Sequence, residues 1–206
     1  MKAIHLIPAA TAALLLVAGG AQAQSLNSNQ RNNATIRAEL NSTIANVTGD
    51  VSATSAAIAN SMSMEGERAG NISNVQNFWG DARSILNANN FADITGDLTL
   101  TSAAIANSAS IKTTLGAGQI SNVQNASIDP TAVLNTSVNR VRGDVEATAA
   151  ALSNSASIDS RLAGVNSTQQ NGAGVYAYLN AGVRDVTGAV TATAAAIGNS
   201  LSVTGF

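Results

Sequence analysis

The sequence predicts an all-β fold, a β-solenoid of about four coils, each about 47 residues long and built from strand–arch–strand repeats. Three observations carry that expectation. The first is repetition: "VTGDVSATSAAIANSMSM" at 47–64 returns as "ITGDLTLTSAAIANSASI" at 94–111, "VRGDVEATAAALSNSASI" at 141–158 and "VTGAVTATAAAIGNSLSV" at 186–203. The second is a hydrophobic period of two inside every copy, the mark of a half-buried strand. The third is composition: charged residues are 11% and aromatics 3% of the chain, and Ala, Ser, Thr and Asn fill the gap. Small uncharged side chains suit surfaces that stack on their own kind.

In chain order, the first element is a leader. Lys2 gives a positive start, "LIPAATAALLLVAGG" an apolar run, and Ala21-Gln22-Ala23 a small-x-small cleavage site. Residues 1–23 read as a secretory signal peptide and Gln24 as the first mature residue, in a single repeat domain over 24–206. The apolar run is short for a membrane span and lacks a basic stop-transfer flank. The chain is therefore expected outside the cytoplasm.

Next comes a weaker motif, "SNQRN" at 28–32, matched by "SNVQN" at 73–77 and 121–125 and by "STQQN" at 167–171. The segments that follow it are ambiguous. Ile36, Leu40 and Ile44 at spacing four suit a short helix, whereas Val175, Ala177 and Leu179 at spacing two suit a strand. Strand is preferred, with short helices between strands as the alternative.

The strong motif reads as two strands. Val47, Gly49, Val51 and Ala53 share one parity, and the other copies repeat it. Beyond the Ser-Ala-Ala or Ala-Ala-Ala stretch the parity changes, giving a second inward set of Ile58, Asn60, Met62 and Met64. One such unit cannot bury its apolar face alone, so units must stack with equivalent residues in vertical rows. In those rows Asn60, Asn107, Asn154 and Asn199 would form an amide ladder, with Gln76, Gln124 and Gln170 as a second. A paired amide contributes about 0.5–1.5 kcal/mol net, whereas a buried unpaired one costs roughly 1–3 kcal/mol. The ladders thereby fix register. No capping repeat follows the last strong motif, and an open strand edge templates another chain.

Several function classes are disfavoured by the residues themselves. The chain has no cysteine, and its one histidine, His5, lies in the leader, so thiolate, imidazole and the usual zinc chemistry are missing from the mature part. A net charge of −2 gives no basic nucleic-acid face. No Gly-x-Ser-x-Gly elbow and no isolated carboxylate pair marks an enzyme, so no catalytic, cofactor or metal residue is assigned. Asp50, Asp97 and Asp144 invite a calcium reading, but the spacing is not that of calcium-binding repeats, and solvated outward carboxylates are preferred. Thr99-Leu100-Thr101 and Thr191-Ala192-Thr193 resemble ice-binding arrays, though Ser52 and Glu146 break the row. Terminal Phe206 raises an outer-membrane barrel, which the missing aromatic girdles disfavour. Trp79, in "NFWGD", stands alone in an aromatic-poor chain as a possible glycan contact, against the plainer role of a loop anchor.

The Ser-x-x-Gln-Asn motif alternating with amide-bearing strands resembles exported curlin-type functional amyloids, and "TGDVSATSAAIANS" is similar to repeats in holdfast-anchor proteins of stalked bacteria. The chain departs from curlin in its longer period and in lacking a Gly between Gln and Asn. The resemblance implies a secreted, surface-anchored, self-assembling component of adhesion or biofilm matrix. Its expected partners are further copies of itself, head to tail, with outer-membrane export or anchor proteins and exopolysaccharide beside them. The competing expectation is a monomeric surface solenoid that binds polysaccharide.

Overall fold

The structure is a computed structural model that describes residues 25–205, together with the backbone of 4–6, 9–11 and 14–18. Among the described residues there is no helix. The chain winds through three parallel sheets in turn, and four circuits stack into a three-walled β-solenoid. The first sheet holds Leu26–Asn32, Ile72–Phe78, Gln119–Ala126 and Gly164–Asn171. The second holds Ile36–Ser42 with Ala45–Val47, then Ala82–Ile94, Thr131–Val141 and Tyr176–Val186. The third holds the longest strands, Val51–Gly66, Leu98–Thr113, Val145–Ser160 and Val190–Thr204.

Like sits over like. In the third sheet Leu98 pairs with Val51 and Val145, Asn107 with Asn60 and Asn154, and Val145 with Val190. The segments after the weak motif are all strands. Ile36, Ala38 and Leu40 turn inward on alternate positions, and a spacing of four satisfies period two as well as a helix, which is why Ile36 and Leu40 were ambiguous.

Two corners fall elsewhere than the alternation implied. Val47, Ile94, Val141 and Val186 end strands of the second sheet, and Thr48-Gly49-Asp50 and its equivalents turn the chain into the third. The corner demands glycine: a Cβ on Gly96 would land on the backbone of Gly49, and one on Gly143 on that of Gly96. The parity change in the third sheet lies at Ala59–Asn60, both buried, with the strand unbroken through it. Ile58, Ile105 and Leu152 consequently face outward and are half-buried, so the inward set begins at Asn60. Small residues at the flip (Ala59, Ala106, Ser153, Gly198) let the wall bend without crowding Phe78 and Ala82.

Immediately before the Thr-Gly-Asp corner, Asn46, Asp93, Arg140 and Asp185 occupy equivalent left-handed positions with φ of 53–56°. Asn and Asp tolerate that region. Arg140 is held there by two bonds from its guanidinium to Asp93, at 2.6 and 2.7 Å.

The core lies between the walls. One cluster joins the second and third sheets around Leu86, Phe91, Leu98, Leu100 and Leu134; another joins the first and third around Ile72, Ile111, Ile120 and Ile158. The expected leader over 1–23 lies largely outside the described residues. Its described backbone pairs parallel along Val51–Gly66, Ile4 against Val51, Ala9 against Ala56 and Leu14 against Ser61.

Candidate assembly interface

The interior of the solenoid carries two full-length amide ladders. Asn60 Nδ2 donates to Asn107 Oδ1, Asn107 to Asn154, and Asn154 to Asn199, each at 2.8 Å. The same nitrogens donate their second hydrogen to the first sheet, at Asn77, Asn125 and Gln170 carbonyls, with Asn199 reaching the Gln169 carbonyl at 3.3 Å. Those carbonyls decide which amide atom is nitrogen, since a flipped side chain would set oxygen against oxygen. Asn107 and Asn154 are fully buried, so every polar atom here needs its partner.

The glutamine ladder runs the other way. Gln76 Nε2 donates back to Gln30 Oε1 at 2.8 Å, Gln124 to Gln76 at 2.7 Å, and Gln169 to Gln124 at 2.8 Å. Each Nε2 also donates to a carbonyl of the third sheet, at Ser61, Ser108, Ser155 and Ser200.

Here the structure corrects one residue and adds another. Gln170 does not join the ladder; it pairs with Asn125 and is exposed, while Gln169 takes the rung beside Gln124. Aligning the first sheet by Ser-x-x-Gln-Asn sets Ser167 on Ser121, but the strand registers Val165 on Ile120 and thereby Ser167 on Asn122. An inward apolar residue outweighs a serine match, and a slip of one reverses every side chain. Gln30 is the first rung, missed for the same reason; the Leu26–Ile72 pairing that places it against Gln76 was a usable signal.

Further columns were not anticipated. Asn74 donates to Asn122 and Asn122 to Ser167 within the first sheet, and Asn135 to Asn87 to Asn41 on the outer face of the second. Asp50, Asp97 and Asp144 are exposed, and each also accepts the backbone N–H of the next coil's corner, at Asp97, Asp144 and Ala189 respectively, at 2.8–2.9 Å. Trp79 is 42% exposed at the corner after Phe78, away from both interior ladders.

At the last coil the core is cut open. Val145 and Ile158 are 1% exposed, whereas Val190 and Val203 above them are each 50% exposed, and Leu201 is 48%. Ile197, Tyr176 and Tyr178 are exposed on the same coil, the two tyrosine rings stacked 6.1 Å apart. At the opposite end the first and second sheets present strand edges in the same register, whereas Val51–Gly66 of the third is paired with residues 4–6, 9–11 and 14–18.

A family model described as holdfast attachment protein D matches residues 5–161 and again residues 46–206. The second match is displaced by 41 residues at its start (46 − 5) and 45 at its end (206 − 161), about one coil, as interchangeable coils allow. No curated protein and no solved structure matches the chain.

Proposed function

The chain belongs to the holdfast attachment protein D family, and on that premise we propose that it is an exported structural protein whose solenoids join end to end, forming or anchoring a cell-surface fibre for bacterial adhesion. One observation carries the reading: columns buried through the inner coils end half-exposed at Val190, Leu201 and Val203, beside strand edges that have no pairing partner among the described residues. Covering a Val or Leu side chain fully is worth about 1.5–3 kcal/mol, and an open edge recruits a strand. A second copy supplies both at once. Electron microscopy and amyloid-dye binding of the protein purified after export should show unbranched fibres. Removing residues 186–206 should abolish them, and fibres persisting without that segment overturn the reading.

The exposed Trp79 favours a second reading, a monomeric solenoid that binds polysaccharide. It requires glycan pull-down by the wild type and its loss in Trp79→Ala, with no fibres in either.

A further inference from the structure

The two interior ladders have opposite polarity, and this makes the ends of the molecule different and mutually complementary. At the last coil the asparagine ladder ends on a donor, Asn199 Nδ2, and the glutamine ladder on an acceptor, Gln169 Oε1. At the first coil, once removal of the expected leader over 1–23 frees the edge of Val51–Gly66, the asparagine ladder begins with an acceptor, Asn60 Oδ1, and the glutamine ladder with a donor, Gln30 Nε2. We infer that a second copy of this chain adds in one orientation only, its first coil on the last coil of its neighbour, with Asn199 donating to the incoming Asn60 and the incoming Gln30 donating to Gln169. This rests on the end-to-end reading above and goes beyond it by fixing direction.

Reversed contacts fail chemically. Last coil against last coil turns one solenoid over and runs its strands antiparallel to those they meet, which breaks the parallel register of all three sheets. Where like ladder meets like, it also sets donor on donor at Asn199 and acceptor on acceptor at Gln169; first against first repeats the fault. A two-fold, self-closing dimer is thereby disfavoured, and an open, head-to-tail polymer follows. The rest of the end surfaces agrees. Continuing the register of the second sheet by one coil sets Asp185 beside Asn46 and Tyr176 beside Arg37, so neither charge meets its like.

Two near-isosteric variants test this. Asn199→Asp keeps the oxygen that accepts from Asn154 but loses the outgoing donor and the bond to the Gln169 carbonyl; Gln30→Glu keeps the oxygen that accepts from Gln76 but loses its outgoing donor and the bond to the Ser61 carbonyl. Each variant retains one sound end, so it adds to a growing fibre and then stops it. Fibres of the exported wild-type protein serve as seeds in one fluorescent colour and elongate in a second, with a minor fraction of either variant added. Asn199→Asp should slow growth about tenfold at one end only, and Gln30→Glu by the same factor at the other end only, the size expected of a buried amide left unpaired. Unchanged strand content by circular dichroism excludes misfolding as the cause. Fibres that grow with both ends equally sensitive to either variant, or to neither, overturn directionality alone. Absence of wild-type fibres overturns the end-to-end reading together with it.

Discussion

At the scale of single residues, the structure ranks side chains of one type by what surrounds them. Asn107 is fully buried and serves three partners: it accepts from Asn60 and donates to Asn154 and the Asn125 carbonyl. Asn107→Ala should lower stability by about 2–4 kcal/mol, several orphaned groups at roughly 1 kcal/mol or more each, read as a fall in the urea midpoint. Asn135→Ala, on the outer face, should cost less than about 0.5 kcal/mol, because water replaces its partner. Glycines divide likewise. Gly143→Ala drives a methyl group into the backbone of Gly96 and should destabilise strongly, whereas at Gly66 the added carbon meets nothing within 4 Å and the change should be near neutral by the same measurement. The asparagine column was legible in the sequence because asparagines stand in the same place in all four strong motifs. The glutamine column was legible only in its middle, since Gln30 and Gln169 sit one place off the Ser-x-x-Gln-Asn frame. Contacts of Asp50, Asp97 and Asp144 to the next coil's backbone left no trace in the sequence beyond the repeat itself.

At the scale of elements, strands were legible and corners were not. Val47, Gly49 and Val51 keep one parity straight through a turn, so alternation alone could not reveal that Val47 and Val51 belong to different walls. The bend at Ala59–Asn60 shows only as two adjacent inward residues, and Ala106 fills that position in the second coil. Ala106→Leu should overpack the bend and cost about 1–3 kcal/mol, visible as a lower melting temperature. Charge pairs lie on the outer faces, Arg140–Asp93 at strand ends before a corner and Arg37–Glu39 within the strand Ile36–Ser42. Bonds from the Arg140 guanidinium hold the Asp93 carboxyl below its ordinary range, and a bond from Asn41, then one from Arg37, does the same for Glu39. A depressed carboxyl stabilises the fold above its unfolded value and loses that contribution as pH falls through the folded one. The melting temperature should therefore drop between about pH 5 and pH 2, and Asp93→Asn should flatten part of that drop. Both groups are well exposed, so the effect is small.

At the scale of the whole molecule, each coil touches only its neighbours, and stability should be close to a sum over coils and their contacts. Removing residues 186–206 should therefore leave the first three coils folded, with a lower melting temperature and strand signal reduced in proportion, measured by circular dichroism; complete unfolding would contradict it. Four-coil architecture was legible because repetition on this length scale leaves few alternatives. The three-walled cross-section was not, since nothing in the repeat counts the walls. The opposed ladders have one more effect. Rung for rung, asparagine carboxamides point one way along the axis and glutamine carboxamides the other, so their moments offset each other. A filament of any number of subunits would gather no axial polarisation from them. Its sense would be written in the fit between neighbours and in no far-reaching field, leaving the thousandth addition energetically the same as the first.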